Sequence, residues 1–191
     1  MVRKIQRIRE KLGLVHVYTG TGKGKTTMSL GIAFRALGYG LSVCIIQFMK
    51  GPIITGELKL RRKFPTRLRV RSYGTRCTSH EPDVTCPNCF VEKEGDMREA
   101  KRAFAYAKGV LESGKFDVVI LDEINVAVAM RLIKLEQVAR LVKNKMPCTE
   151  LVLTGRGAPK TLIDLADVVT EMREIKHPFA DGVVARKGID Y

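Results

Sequence analysis

A glycine- and lysine-rich loop that directly follows a short apolar segment constrains the fold of this chain more than any other feature. The segment Leu14–Thr19 suits a buried strand, and Lys25–Leu37 suits a helix that is closed by Gly38 and Gly40. Between them, residues 19–27 read TGTGKGKTT. A strand, a glycine-rich loop and a helix in that order are the context expected of a phosphate-binding loop.

The loop matches the phosphate-binding pattern in a variant form. The general pattern is G-x-x-x-x-G-K-[ST]; Gly24, Lys25 and Thr26 fit its end, whereas Thr19 stands at its first position and glycines stand at 20 and 22. Glycines let the backbone curl so that successive N–H groups face an anion, and the following helix adds its positive end. Lys25 and Lys23 add positive charge, and the Thr26 hydroxyl can ligate Mg²⁺.

This combination predicts that the chain binds Mg-ATP through the phosphates. The alternative is a glycine-rich turn with exposed lysines, which does not account for the joint occurrence of strand, loop and helix. The predicted phosphate-binding residues are Gly20, Thr21, Gly22, Lys23, Gly24, Lys25, Thr26 and Thr27, together with Arg156 from a later part of the chain.

An acidic pair follows a second apolar strand. Residues 117–122 read DVVILD, so Asp122 and Glu123 lie at the carboxyl end of a buried strand. P-loop proteins place an acidic residue there, in the shell of the Mg²⁺ ion. We expect Mg²⁺ to be held by Thr26, Asp122 and Glu123, with only one of the two adjacent carboxylates facing the metal directly. The alternative is that Asp122 caps the next helix.

Arg156 follows the strand Glu150–Thr154, within the sequence TGRG. It is therefore expected at the same edge of the sheet as the loop and the acidic pair, within reach of phosphate oxygens. The alternative is a surface arginine in a turn.

Apolar strands alternate with helical patterns along the rest of the chain. This order predicts a single-domain α/β fold with a mostly parallel sheet and helices on both faces. A basic segment spans 1–12, a cysteine-rich insert spans 74–93 and an irregular tail spans 173–191. The other predicted strands are Ser42–Met49, Leu68–Tyr73 and Asp167–Met172, and the other predicted helices are Asp96–Ser113 (with Asp96 as its N-cap), Leu135–Val142 and Lys160–Ala166.

The net charge of +14 is concentrated in two parts of the sequence. One lies within the first 12 residues, and the other extends from Lys59 to Arg76. Such an excess favours an anionic partner, whereas a solvated basic surface is the alternative. No apolar run reaches the length of a membrane span and no signal-peptide pattern is present, so we expect a cytoplasmic protein without a membrane partner.

Three cysteines and a histidine cluster in the insert, in the pattern C-x₂-H-x₅-C-x₂-C. Cys77, His80, Cys86 and Cys89 are four ligands in two close pairs, as a tetrahedral structural Zn²⁺ site requires. Free thiols, a reversible disulfide and an iron–sulfur site are the alternatives.

Five strings of the sequence resemble one known family. They are GLVHVYTGTGKGKTT, QFMKG, VVILDEIN, LVLTGRGAP and the C-terminal ADVVTEMREIKHPFADGVVARKGIDY. They resemble the P-loop type of ATP:corrinoid adenosyltransferases, which act on cob(I)alamin or cob(I)yrinic acid a,c-diamide. The resemblance covers about residues 13–50 and 117–191. It implies a RecA-like sheet and a homodimer.

The resemblance also implies a reaction. An electron-donating reductase of flavoprotein type reduces the corrinoid to Co(I). The Co(I) corrinoid then attacks the 5′-carbon of ATP, and triphosphate leaves. Lys25 and Glu123 are then the catalytic residues, with Mg²⁺ or Mn²⁺ as the cofactor. Loop amides, lysines and the metal would stabilise charge on the leaving triphosphate.

The middle of the chain departs from the family pattern. Members often carry a Trp-containing aromatic segment there, whereas this chain has no Trp and carries the cysteine cluster instead. We hypothesise that a zinc-ordered loop replaces that aromatic lid. Two other functions stay open at this point. One is a thymidine-kinase-like nucleoside or nucleotide kinase with a zinc-binding segment. The other is a nucleic-acid-binding ATPase, although no aromatic stacking motif or extra domain supports a nucleic-acid partner.

Overall fold

The computed structural model describes residues 2–51, 54–75, 94–178 and 182–191. Within these ranges the strands form one sheet in which every pairing is parallel. Its strand order is β3-β2-β4-β5-β1-β6. The strands are β1 Val15–Thr19, β2 Val43–Gln47, β3 Leu68–Ser72, β4 Val118–Asp122, β5 Glu150–Thr154 and β6 Val168–Glu171.

The helices of the same ranges connect these strands and cover the sheet. They are α1 Val2–Arg9, α2 Lys25–Gly38, α3 Gly56–Leu60, α4 Glu94–Ser113, α5 Ile124–Ala129, α6 Leu135–Lys143 and α7 Lys160–Asp164. In the part of the chain that is described, every helix is too short or too polar to cross a membrane.

Apolar side chains of the central strands β2, β4, β5 and β1 alternate between two clusters, because successive residues of a strand point to opposite faces. Val17 and Leu121 belong to the cluster that packs against α4, α5, α6 and α7. Tyr18 and Ile120 belong to the cluster that packs against α2, with α1 and α3 at its margin. The centre of the sheet is thus buried on both faces, which confirms the predicted fold class and explains why β2, β4 and β5 read as apolar runs. The edge strand β6 is largely exposed.

The predicted strands and longer helices are all present, with differences of a few residues at their ends. β2 ends at Gln47 rather than Met49, because Met49 has a positive φ of 58° that a strand cannot continue. The prediction that Asp96 caps α4 is wrong. Helix α4 begins at Glu94, and the carboxylate of Asp96, inside the helix, accepts hydrogen bonds from Thr75 instead.

Helix α1 packs at the amino-terminal end of the sheet. Arg9 donates hydrogen bonds of 2.7 Å and 3.2 Å to the carboxylate of Asp117, which precedes β4. The same carboxylate accepts from the amide and hydroxyl of Ser42. The described part of the basic N-terminal segment is therefore attached to the opposite end of the strands from the phosphate loop.

Candidate nucleotide-binding site

The side chain of Lys25 lies at the centre of the glycine-rich loop. Its Nζ donates hydrogen bonds to the carbonyl oxygens of Gly20 at 2.9 Å and Gly22 at 2.6 Å. The residue is 8% exposed. Burial lowers the pKa of Lys25, and the nearby carboxylate of Glu123 partly opposes that shift. The carbonyl oxygens of the loop therefore hold the Lys25 side chain in the interior of the loop.

The glycines at 20 and 22 are required because the end of β6 packs directly on the loop. A Cβ at Gly20 would lie 2.4 Å from the carbonyl oxygen of Met172, and one at Gly22 would lie 2.7 Å from the carbonyl carbon of Arg173. The amide of Gly22 donates a 2.7 Å hydrogen bond to Met172. The N–H of Gly22 is thus bonded to Met172, the residue that directly follows β6.

Asp122 lies fully buried beneath the loop. Its Oδ1 accepts hydrogen bonds from the hydroxyls of Thr26 at 2.8 Å and Thr154 at 2.6 Å, and its Oδ2 accepts from the Nζ of Lys50 at 2.7 Å. Burial would raise the pKa of Asp122, but Lys50 and the two hydroxyls outweigh that effect and hold it below its usual range. The carboxylate therefore connects the loop to strands β4 and β5.

Glu123 is directed into the cleft beside the loop. Its backbone has a positive φ of 63°, and its amide donates to the hydroxyl of Thr154. Burial, followed by the charge of Asp122, raises the pKa of Glu123. Glu123 also precedes the first residue of α5 without capping it through its side chain. The alternative in which Asp122 caps the next helix is thus not realised, and the two adjacent carboxylates separate as expected, one below the loop and one in the cleft.

The cleft has a volume of about 680 Å³. Six of the predicted phosphate-binding residues line it, namely the run from Gly22 to Thr27. Arg156 also lines it, which confirms its expected place at this edge, and its side chain is exposed. Gly20 and Thr21 are not among the lining residues. Gly20 contributes instead through its carbonyl, which accepts from Lys25.

Several lining residues were not predicted from the sequence. Val126, Ala129 and Met130 form an apolar wall along α5 and its end. His177 and Asp190 come from the C-terminal tail. They line the cleft because α5 and the tail fold back onto the phosphate loop.

Asp190 brings a carboxylate to the phosphate loop. It forms an ion pair with Lys23, and its Oδ2 accepts from the backbone amide of Arg186 at 2.8 Å and from the Nε of the same residue at 3.1 Å. The side chain of Asp190 is 10% exposed. The tail is thus attached to the loop through the lysine that lies inside the phosphate-binding pattern.

Lys50 and Gln47 are further polar residues at this edge that sequence reasoning missed. Gln47 is fully buried; it donates to Glu57 at 2.6 Å and accepts from Ser72 at 2.6 Å. Lys50 pairs with Asp122. Burial would lower the pKa of Lys50, but Asp122 outweighs that effect and raises it. For Gln47 the available signal was a polar residue at the end of an otherwise apolar strand, since such a residue falls at the ligand-binding edge.

The described residues provide a partial set of Mg²⁺ ligands. They contain no group of three or more His, Cys, Asp or Glu side chains that could hold a metal ion by themselves. Mg²⁺ in nucleotide sites needs fewer, because phosphate and water oxygens complete its shell. The hydroxyl of Thr26 fits, because it gives its hydrogen to Asp122 and keeps its lone pairs for a cation. The zinc prediction for Cys77, His80, Cys86 and Cys89 lies outside the described residues.

A parallel sheet with this loop, a buried carboxylate under it and a cleft at the carboxyl ends of the strands defines a P-loop nucleotide-binding protein. The family model described as ATP:corrinoid adenosyltransferase BtuR/CobO/CobP matches residues 11–191. The chain belongs to this family.

Three relatives support the assignment, and each is named corrinoid adenosyltransferase. The protein from Pseudomonas aeruginosa is 34% identical over 188 residues, which cover 98% of this chain and 88% of the relative. The Sinorhizobium protein is 36% identical, with coverage of 95% and 82%. The Escherichia coli K12 protein is 32% identical, with coverage of 98% and 90%.

The chain is therefore a transferase that adenosylates corrinoids in an ATP-dependent reaction. The family and the activity expected from the five sequence strings are confirmed. The kinase and the nucleic-acid-binding ATPase are not favoured, because the match extends over nearly the whole chain.

Proposed function

We propose that the cleft binds ATP through its triphosphate and transfers the 5′-deoxyadenosyl group to the Co(I) centre of a reduced corrinoid. The observation that carries this proposal is the position of Lys25. Its ammonium group is held inside the loop, and the adjacent Thr26 is bonded to a buried carboxylate. A triphosphate in the cleft would meet this ammonium group and the start of helix α2 together.

The transfer of the adenosyl group needs no general base. The electron pair of Co(I) forms the cobalt–carbon bond at C5′, the bond between C5′ and the triphosphate oxygen breaks, and its electron pair leaves with the triphosphate. The cobalt is formally oxidised from Co(I) to Co(III). No proton is transferred, so the protein's task is to position the two substrates and to stabilise charge on the leaving group.

The side chains of the cleft supply that charge stabilisation. Lys25, Lys23 and Arg156 place positive charge around the position of the phosphates. On binding, the triphosphate would compete with the carbonyl oxygens of Gly20 and Gly22 for Lys25, and with Asp190 for Lys23. The new contacts of the lysines would strengthen as negative charge accumulates on the leaving oxygen. Interactions that are stronger in the transition state than in the ground state are the ones that accelerate a reaction.

Thr26 and Glu123 would hold Mg²⁺, or Mn²⁺ in its place, against the phosphate oxygens. When bound, this ion neutralises charge on the triphosphate. Glu123 faces the cleft, and a cation beside it would favour its ionised form and so oppose the effect of burial. Asp122 fits less well as a direct ligand, because hydrogen bonds already occupy both of its oxygens.

The family resemblance supports further proposals about the setting of the reaction. The protein would act as a homodimer in the cytoplasm and would take its electron from a flavoprotein-type reductase. The basic cluster that begins at Lys59 would attract corrinoids that carry free carboxylates. Two of its members, Arg69 and Arg71, lie over the rings of Phe116 and Tyr106. Zn²⁺ on the cysteine cluster would order the insert.

The test is to incubate the protein with ATP, Mg²⁺ and a chemically reduced corrinoid. We expect a light-sensitive cobalt–carbon product and one triphosphate released for each adenosyl group transferred, with no ADP. The variant Lys25→Ala should form little product under the same conditions. Release of ADP, or the absence of any light-sensitive product with every reduced corrinoid tried, would rule the proposal out.

A further inference from the structure

Lys50 forms the third contact to the carboxylate of Asp122, opposite the phosphate loop. Its Nζ lies 2.7 Å from Oδ2, and its side chain retains 27% exposure while that of Asp122 has none. It reaches this position from the segment after β2, because Met49 turns the chain with a positive φ of 58°.

The other oxygen of Asp122 is fully engaged. Oδ1 accepts from Thr26 at 2.8 Å and from Thr154 at 2.6 Å. A carboxylate offers about four lone-pair positions, so Oδ1 has no position left and Oδ2 has one, next to a positive charge. A metal ion bound there would meet repulsion from the ammonium group. With Lys50 in place, Asp122 can orient the Thr26 hydroxyl but is a poor direct ligand.

We propose that Lys50 is a positioning residue of the nucleotide site. By occupying Oδ2, it keeps Asp122 as a fixed acceptor for the hydrogen of Thr26, so that the Thr26 oxygen rather than Asp122 would hold a metal ion. This inference rests on the proposed binding of ATP with Mg²⁺ in the cleft. It assigns Lys50 no contact with substrate.

Removal of Lys50 would free Oδ2 for the metal. The cation could then move toward Asp122 and away from the phosphates, so ATP would gain less affinity from Mg²⁺. Changes to groups that orient metal ligands commonly cost 10- to 100-fold in metal affinity. A residue that only stabilised the fold would instead weaken ATP binding equally with and without metal.

The experiment compares ATP binding by calorimetry in Mg²⁺ and in EDTA for the whole chain. We expect Lys50→Met to reduce the gain in affinity caused by Mg²⁺ about tenfold and to change the EDTA value by less than about twofold. Lys50→Arg, which keeps a charged donor, should restore most of the gain. Lys145→Met is the matched control, since Lys145 is also partly buried but bonds the carbonyl of Gly13 at the other end of the sheet.

Equal affinity changes in Mg²⁺ and in EDTA, or an unchanged metal effect, would overturn the inference. If Lys50→Met does not fold, Lys50→Gln is measured instead, since it keeps a donor and loses the charge. Its metal effect should fall at least threefold, and a wild-type value would count against the proposal. Failure of the wild-type protein to bind ATP would refute the proposed function, whereas wild-type binding with a normal Lys50→Met would refute only this role of Lys50.

Discussion

The hydroxyl of Thr26 donates a 2.8 Å hydrogen bond to Oδ1 of Asp122, although the two residues are 96 positions apart. Thr26 is the second residue of helix α2, and Asp122 ends strand β4. This contact joins the phosphate loop to the acidic strand without a backbone pairing between β1 and β4. The carboxylate of Asp122 therefore contributes both to the stability of the fold and to the geometry of the nucleotide site.

Replacement of Asp122 should destabilise the protein. Asp122→Asn leaves the ammonium group of Lys50 without its charged partner, and the loss of one member of a buried pair costs about 3–5 kcal/mol. We expect about 3 kcal/mol, the lower end, because Lys50 is partly exposed. Urea denaturation without ligand measures the change. The control is Asp164→Asn, since Asp164 pairs with Lys160 on the surface and should contribute less than about 1 kcal/mol. Equal losses in the two variants would contradict the prediction.

Replacement of Lys25 should weaken ATP binding far more than it affects the fold. Lys25→Ala removes the ammonium group at the centre of the loop, and a charged hydrogen bond contributes about 1.5–3 kcal/mol. We therefore expect ATP affinity to fall at least tenfold, as measured by calorimetry. Lys160→Ala changes an exposed lysine of α7 and should leave the affinity unchanged. Undiminished ATP binding by Lys25→Ala would remove the basis of the proposed site.

The contact between the loop and β6 should be sensitive to a single methyl group. In Gly22→Ala, the added Cβ would lie 2.7 Å from the carbonyl carbon of Arg173, so the loop or the strand end must move. We expect weaker ATP binding and a lower melting temperature. Gly31→Ala is the matched control, because its Cβ would meet open space on α2. Alanine should stabilise that helix by about 0.5–1 kcal/mol. A Gly22→Ala protein with normal ATP affinity would show that the loop tolerates displacement.

The raised pKa of Glu123 makes a pH-dependent prediction for the metal-free protein. Folding disfavours the ionised form of Glu123. Below the pKa of the unfolded state, the residue is protonated whether or not the chain is folded and costs no stability. As the pH rises through the folded-state pKa, stability is lost. Glu123→Gln removes this loss. Its melting temperature in EDTA should match that of the wild-type protein at pH 4 and exceed it at pH 8. A variant that is less stable than wild type at pH 8 would show that burial does not govern this group.

Glu123→Gln should also separate stability from function. The same substitution removes a carboxylate that the proposed mechanism uses to hold Mg²⁺. We therefore expect a more stable protein at pH 8 with a smaller Mg²⁺-dependent gain in ATP affinity. Such a combination is expected of a functional residue that is kept at a cost in stability.

Most of the fold could be predicted from apolar patterning. The strands that end in Gln47, Asp122 and Thr154 are continuous apolar runs, and such runs are expected of parallel strands that are buried on both faces. Helices α1, α3 and α5 were missed, and α3 and α5 are only five and six residues long. Segments of five or six residues contain too few turns to establish a helical period.

The residues that form the phosphate loop could be identified from the sequence, but the distant residues that they contact could not. Local pattern identified Lys25 and Thr26, because a glycine-rich turn and a helix start are adjacent in the chain. The contacts of Gly22 with Met172 and of Lys23 with Asp190 depend on how the last strand and the tail return to the loop. Lys50 was missed for the same reason, since its partner Asp122 is 72 positions away.

Strand β5 separates the strand that carries the phosphate loop from the strand that carries Asp122. The two halves of the cleft therefore meet through a third segment, whose last residue, Thr154, donates to that carboxylate. Opening of β5 would remove this bridging strand and leave the Thr26–Asp122 hydrogen bond as their described side-chain link. We expect nucleotide binding to favour the closed form of β5, so amide hydrogen exchange in β5 should slow when ATP binds.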